Sequence, residues 1–386
     1  MEAGRQGRYV TCNGAGEPYR AFVPPPLPPQ PPLAFGGELI GLLEEANRLL
    51  GRLDGLATAL PDPQLLLYQY VRKEAVLSSQ IEGTQSSLSD LLIHEMEEVP
   101  GVPEDDVEEV SCYVRALNHG LERLNSLPLS LRLLREIHAV LLSSGRGATK
   151  QPGEFRRSQN WLGGTRPGNA EFVPPPPEQL MDCLGPFETF LHDPHTPPLI
   201  KAALAHVQFE TIHPFLDGNG RLGRLLIALL LVEAKVLQYP LLYLSLHFKA
   251  NRPEYYDRLG RVRTHGDWEG WLAFFLRGVI HTAREAAETA QKILALFDAD
   301  RARIAQLGRL SGSALRLHEH LRLRVVSSAG VAAEKTGVNR SSTVTALNKL
   351  IELGIVRELT GYRRNRLFAY DAYLVLLSRD TEPLPP

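Results

Sequence analysis

Residues 225–237, LLIALLLVEAKVL, are apolar on nearly every side of a helix, and such a helix is stable only when other elements surround it. Glu233 and Lys235 interrupt the run too early for it to span a bilayer. It is therefore expected as a buried helix. Leucines at helical spacing in GELIGLLEEANRLLGRLDGLATAL, from Gly37, predict one neighbour, and QLLLYQYVRKEAVLSSQIEG, from Gln64, predicts a second that Gly83 stops. EVPGVPEDD, residues 98–106, is expected as a loop. From there to about residue 290 the pattern is mostly helical, so the fold class is mainly α.

Two segments break that pattern. In RRSQNWLGGTRPGNAEFVPPPP, residues 156–177, the short runs QNWLGG and AEFV flank a Pro-Gly turn signature, which predicts a small exposed β-hairpin. TIHPFLDGNGRLGRLL, residues 211–226, lies between the helical PLIKAALAHVQFETI and the buried run, so it is a loop feeding a helix N-terminus. Ahead of all this, residues 1–35 are rich in proline, which suits either an extended arm laid over the protein or a disordered leader.

A C-terminal module begins near residue 310. VAAEKTGVNRSSTVTALNKLIELGIVREL predicts a short helix, a turn at Gly337 and a helix opened by Ser341 or Ser342, and GYRRNRLFAY follows as a basic hairpin. That is a winged helix-turn-helix pattern. Ten basic residues against four acidic ones between Arg316 and Arg366 give it a net charge of +6, while the whole chain carries −2. No global field therefore argues for nucleic acid, but a local basic region does.

The 386 residues and 44% hydrophobic content suit a globular protein of two or three domains with a sizeable core. Cys12, Cys112 and Cys183 are far apart and odd in number, with no C-x-x-C pair, which fits a reducing compartment. MEAGRQGRYVTCNG lacks the apolar core of a signal peptide, so a cytoplasmic location and no membrane association are expected.

The loop at 211–226 has the makings of an anion site. Gly218, Asn219 and Gly220 can turn so that successive N–H groups converge on a phosphate. Arg221 and Arg224, three apart, share a face of the first helical turn and can reach one polyphosphate. Asp217 is a carboxylate beside that nest, the usual place for Mg²⁺ near phosphates. His213 could take a proton from an incoming hydroxyl, and Phe215 would anchor the loop in the core. His206 and His213 have no third ligand at metal spacing, which argues against zinc.

HPFLDGNGRLGR, residues 213–224, resembles the complete signature of Fic-domain proteins, most of which transfer AMP from ATP to a hydroxyl of a target protein. The resemblance implies a helical core in which the motif joins two central helices. It makes His213 the general base and Asp217 the Mg²⁺ ligand, with Gly218, Asn219 and Gly220 cradling phosphates and Arg221 and Arg224 on the β- and γ-phosphates. Related Doc-type kinases carry lysine where this chain has Arg221 and lack the second glycine and arginine, so their inverted nucleotide pose is disfavoured. YLSLHFKANRPEYYDRL, from Tyr243, resembles the family's nucleoside-binding region, which assigns Asn251 and Tyr255 or Tyr256 to the adenine and ribose pocket, one tyrosine of the pair being left for the core. The hairpin at 159–173 corresponds to the family's flap, which holds a target segment by main-chain pairing, with Trp161 as its packing anchor.

SSQIEG, residues 78–83, matches the family's inhibitory pattern of Ser or Thr, three residues, then Glu-Gly or Glu-Asn. A carboxylate at a helix C-terminus is disfavoured by roughly 0.3 to 1 kcal/mol, so Glu82 wants a cation. The resemblance names Arg224, which would then be unable to grip a γ-phosphate, leaving ATP misaligned for attack. Ser78, one turn earlier, either adds a hydrogen bond or is solvated. The Pro-rich start with EPYRAFVPPPLPP, the inhibitory helix, the core and the winged helix together resemble one bacterial group of Fic proteins that includes self-modifying adenylyltransferases.

The expected organisation is an N-terminal arm and inhibitory helix over 1–107, a Fic core with its small hairpin flap over 108–295, and a winged helix over 305–386. The expected activity is AMP transfer from ATP, with Mg²⁺, to Ser, Thr or Tyr of a target protein or of the chain itself. Removal of AMP, with Glu82 positioning a water, uses the same residues. A nucleotide-sensing, DNA-binding regulator is the rival from another class, and a C-terminal module serving only protein contacts or a homodimer is a third possibility.

Overall fold

The computed structural model describes residues 5–14, 17–58, 64–96, 104–360 and 366–384. Most of the loop expected at 98–106 lies outside them, as do Arg363 and Arg364 of the basic hairpin. The Pro-rich start is more structured than its composition suggests. β1 (Arg8–Gly14) and β2 (Glu17–Val23) form an antiparallel hairpin in the register Arg8↔Val23. The prolines that follow have no regular secondary structure and lie against the body, where Arg5 donates to Pro31 O at 2.8 Å and to Glu269 at 2.8 Å.

The helical body comprises α1 (Gly37–Thr58), α2 (Gln64–Ile81), α3 (Leu88–His94), α4 (Glu104–Arg123), α5 (Leu131–Leu141), α6 (Leu180–Leu191), α7 (Pro198–Ile212), α8 (Asn219–Glu233), α9 (Ser245–Ala250), α10 (Arg252–His265) and α11 (Trp268–Ala305). α7 and α8 pack against each other at the centre, with α4, α5 and α2 against α8 and α11 against α7. The leucine run lies in α8, where Leu222, Leu225, Leu226, Leu229 and Leu231 are fully buried. Each such side chain contributes about 1.5–3 kcal/mol of burial, enough to fix the helix although its end carries charge. Gly120 brings α4 close: a Cβ there would lie 2.9 Å from Ile137 and 3.2 Å from Leu229.

The expected hairpin at 159–173 is reduced to one bridge, Leu162↔Phe172, closed by a 3-10 turn at Pro167–Asn169. Its glycines and prolines cannot sustain a ladder, and main-chain pairing passes instead to the N-terminal hairpin, through Phe22 N to Val173 O at 2.8 Å. Glu17 clasps Arg166 at 2.7 Å across that junction.

Beyond the core follow α12 (Ser311–Arg324), β3 (Val326–Ser328), α13 (Ala329–Thr336), α14 (Arg340–Glu352), β4 (Val356–Glu358), β5 (Leu367–Tyr370) and α15 (Asp371–Ser378). The three strands form an antiparallel sheet in the order β3-β5-β4. Gly337 makes the turn with φ 65°, but Asn339, not Ser341 or Ser342, caps α14, its Oδ1 accepting from Ser342 N at 2.9 Å. α11 runs unbroken through 295–305, where the sequence had suggested a boundary. The residues after α15 return to the core: Gln80 donates to both Ser86 O and Thr381 O at 2.8 Å, and Lys249 donates to Asp380 O at 3.3 Å. Among the described residues no helix is long and apolar enough to cross a membrane.

Candidate active site

The loop between α7 and α8 is held by its carbonyls. α7 ends at His213, which takes a left-handed conformation (φ 50°, ψ 60°). Buried Arg156 donates to His213 O at 2.9 Å, and Asn160 donates to Phe215 O at 2.9 Å. Phe215 is fully buried and stacks on His138 with ring centres 3.7 Å apart. His138 Nδ1 accepts from Gly153 N–H at 2.8 Å, so its Nε2–H donates to Asp217 O at 3.0 Å. Burial pushes this imidazole down to about 4, which keeps it neutral and preserves that pair of bonds. Asn219 turns its amide back on Phe215, accepting from its N–H and donating to its C=O.

With the carbonyls so engaged, the donors are left over. The first intrahelical bond of α8 runs from Leu222 N to Gly218 O, so the amides of Asn219, Gly220 and Arg221 precede it. They adjoin an open cavity of about 350 Å³ whose wall includes His213, Asp217, Gly218, Asn219, Gly220 and Arg221. Glu82 enters from the α2 side, and Trp161 and Leu162 from the flap. Trp161 is exposed in that wall and so is not the packing anchor expected of it.

Arg224 does not reach the cavity wall; Glu82 stands between. Arg224 is almost wholly buried and donates to Glu82 Oε1 at 2.7 Å, to Ser78 Oγ at 2.9 Å and to Ser78 O at 3.0 Å. Ser78 is buried, so of its two readings the hydrogen-bonded one holds. Burial opposes ionisation of Glu82, but the Arg224 guanidinium, with Arg221 behind it, holds the carboxyl below its ordinary range. The carboxylate also lies against the first turn of α8: a Cβ on Gly220 would be 2.1 Å from Glu82 Oε1. Glu82 thus both neutralises Arg224 and covers part of the anion nest.

His213 is half-buried, its Nδ1 3.4 Å from Glu210 O. Desolvation, with Arg156 nearby, pushes it down to about 4, so at neutral pH it can accept a proton. Asp217 is a single half-buried carboxylate, and among the described residues no group of three His, Cys, Asp or Glu could hold a metal by itself. That donor set fits Mg²⁺, which takes one or two carboxylates and completes its shell with water and substrate phosphates.

The nucleoside segment is less closely gathered. Asn251 sits at the α9–α10 junction and donates to His247 O at 3.0 Å. Tyr255 belongs to the core, stacked on Phe248 at 4.5 Å with its hydroxyl 2.8 Å from His206 Nε2, so its assignment to the pocket gives way. Tyr256 is the exposed member, and burial of its hydroxyl and the Glu82 charge raise its pKa.

Several positioning residues were not foreseen. Arg156 and Asn160 stand in the segment whose sequence speaks for a turn and a flap, and nothing in it singles them out. His138 left a trace, a polar residue among the buried positions Leu134, Ile137 and Leu141 of α5. Glu109 and Arg146 left none. Glu109, buried on α4, receives Arg146 Nε at 2.6 Å and lies 3.4 Å from Arg221 Nη1, while Arg221 Nη2 is 3.7 Å from Asp217.

The chain resembles known proteins in sequence and in overall fold. A model described as Fic/DOC family N-terminal matches residues 40–122, and the Fic/DOC family model matches residues 128–231. The chain is 33% identical over 202 residues to a protein adenylyltransferase Fic from Aedes aegypti, covering 50% of this chain and 37% of that one. A protein of the same name from Drosophila virilis is 35% identical over 154 residues, covering 39% and 28%. The chain thus spans 37% and 28% of these two relatives' lengths. A Fic family protein from Desulfovibrio desulfuricans G20 shares the fold with a TM-score of 0.58 at 20% identity, over 88% of this chain and 98% of that one. A Fic domain containing signaling protein from Bacteroides thetaiotaomicron VPI-5482 gives 0.51 at 19%, over 66% and 97%.

Proposed function

Because the chain belongs to the Fic/DOC family, we propose that it is a protein adenylyltransferase held inactive by Glu82. The observation that carries the reading is a neutral His213 on the same cavity wall as Asp217 and the amides that precede the first intrahelical bond of α8. A target hydroxyl gives its proton to His213 as its oxygen attacks the α-phosphorus of ATP; the bond from that phosphorus to the β-phosphate bridging oxygen breaks, and pyrophosphate leaves. The amides of Asn219, Gly220 and Arg221 hold phosphate oxygens, and Arg224, once released, holds the outermost phosphate. Mg²⁺ held through Asp217 would neutralise charge on the leaving phosphates. Catalysis then rests on positioning and charge, since such transfer leaves little covalent work to the protein.

Intact-mass analysis of the wild-type, Glu82→Gly and Glu82→Gly/His213→Ala proteins, each with ATP and Mg²⁺ and a Ser/Thr/Tyr-containing protein extract, tests this. An AMP adduct that grows in the single variant and is lost in the double variant is expected. Adducts of equal size on all three would remove His213 and Glu82 from the mechanism. If pre-adenylylated protein instead loses AMP only when Glu82 is present, the reaction runs in the reverse sense.

For the C-terminal part we propose a winged helix-turn-helix, over about 305–386, that binds DNA. The order α12-β3-α13-α14-β4-β5 and the +6 charge favour it over a module for protein contacts alone. The preceding units are then the arm and inhibitory helix over 1–107 and the core over 108–295.

A further inference from the structure

A second arginine faces the cavity beside Arg221, and it lies outside the sequence motif. Arg146 sits in the loop after α5 and lines the same wall as Asp217, Gly218 and Arg221. Its side chain is 53% exposed, yet it is fixed: Nε donates to Glu109 Oε1 at 2.6 Å, Nη2 to Glu109 Oε2 at 3.1 Å and to Thr84 Oγ1 at 3.3 Å. Among the described residues Nη1 has no hydrogen-bond partner. The loop is shaped for this placement. Gly145 has φ 78°, and a Cβ on it would lie 2.7 Å from Glu109 Cγ, so only glycine lets the chain close over the carboxylate and deliver the next side chain to the cavity.

Glu109 stands between Arg146 and Arg221, so the two guanidiniums are neighbours across one buried carboxylate. Asp106, 3.6 Å from Arg146 Nη2, and Asp217, 3.7 Å from Arg221 Nη2, stand with Glu109 around the two guanidiniums, so what the cluster offers an oxyanion is not excess charge but the directed Nη1 donors of Arg146 beside the amides that open α8. A solvent-facing N–H pair on a guanidinium already held by a bidentate bond costs little further ordering when it meets an oxyanion.

We infer that Arg146 binds the β- or γ-phosphate of the nucleotide, extending the motif's phosphate site with a cation from α5's exit loop. The inference rests on the adenylyltransferase reading. It makes Glu109 a positioning residue that aims Arg146 and Arg221 without touching the nucleotide.

The test uses the full chain carrying Glu82→Gly, with binding of ATP and of AMP measured by calorimetry in the presence of Mg²⁺. Arg146→Gln is expected to weaken ATP about ten-fold, the lower end for a charge-assisted hydrogen bond, and to leave AMP within about two-fold. KM for ATP should rise by a similar factor while kcat changes less. Should Arg146→Gln fold poorly with Glu109 left under-paired, Arg146→Lys keeps a cation there and is expected to weaken ATP by about two- to five-fold, again sparing AMP. Equal loss of ATP and AMP, or no loss of either, would overturn the inference while the Glu82→Gly parent's AMP transfer leaves the broader reading intact. A parent that neither binds ATP nor transfers AMP removes that reading and this inference with it.

Discussion

Replacing Glu82 tests the brake most directly. Among the described residues Arg224 donates three hydrogen bonds, and only the one to Glu82 Oε1, at 2.7 Å, pairs its charge. A charge-assisted hydrogen bond contributes about 1.5–3 kcal/mol net. Because the Glu82 side chain is 39% exposed, solvent screening reduces this to about 1–2 kcal/mol. At RT near 0.59 kcal/mol, releasing that amount raises the population with Arg224 free for phosphate by roughly 5- to 30-fold. The carboxylate also crowds Gly220, so its volume matters as well as its charge. Glu82→Gly should therefore raise kcat/KM for AMP transfer into that range, and Glu82→Gln, which keeps the volume and loses the charge, should fall short of it. Initial rates with labelled ATP below its KM measure both. A Glu82→Gly rate within two-fold of the parent would refute the brake. Glu82→Gln indistinguishable from the parent, beside a fully active Glu82→Gly, would refute the electrostatic part alone.

Other consequences are as open to measurement. With its imidazole at about 4, His213 is already deprotonated at pH 6, so AMP transfer by the Glu82→Gly protein should be flat in its base-dependent limb from about pH 6 to 8; a rise centred near 6.5 would point to a different base. His138 and His213, at about 4, and His206, at about 3, are depressed from 6.5, so between those values the unfolded chain binds more protons. Their contribution is therefore complete above about pH 6.5 and lost as the pH falls toward 4, opposed over the same range by Glu74 and Glu210, which burial pushes up to about 7; a Glu74→Gln/Glu210→Gln protein should lose melting temperature from pH 7 to pH 5 more steeply than the wild type, and equal slopes would contradict it. For the C-terminal module, duplex affinity should fall with salt, and Arg340→Ala at the exposed start of α14 should reduce the salt slope by about one; absence of binding at low salt would dismiss the DNA reading.

The sequence made the central helices legible because α7 and α8 are apolar beyond what an amphipathic surface helix allows, and made the loop legible because its residues form one contiguous string. Glu82 was legible for the same reason, standing in a local pattern at the end of α2. What stayed hidden are contacts between distant segments. Glu109 meets Arg221 across 112 positions, and nothing in the repeat of α4 distinguishes that glutamate from its neighbour Glu108, which is only partly buried. Tyr255 and Tyr256 differ by one position, and only the rotation of α10 sends the first to the core. The N-terminal hairpin was obscured by its proline-rich continuation: RYVTCNG and EPYRAFV have ordinary strand residues, but the count of prolines over 1–35 outweighed them.

α11 has a consequence of another kind. Its 38 residues span about 57 Å, and buried positions continue from Trp268 through Ile293 and Phe297 to Ile304. At its far end Asp300 accepts from Tyr370 at 2.8 Å, and Phe297 packs on Tyr373 at 4.9 Å. One rod therefore runs through a single hydrophobic cluster that continues from the central helices to Tyr373, so neither end can melt without fraying the backbone of the other. Heating should produce a single calorimetric transition, and a protease is expected to find no early cut between residues 290 and 305.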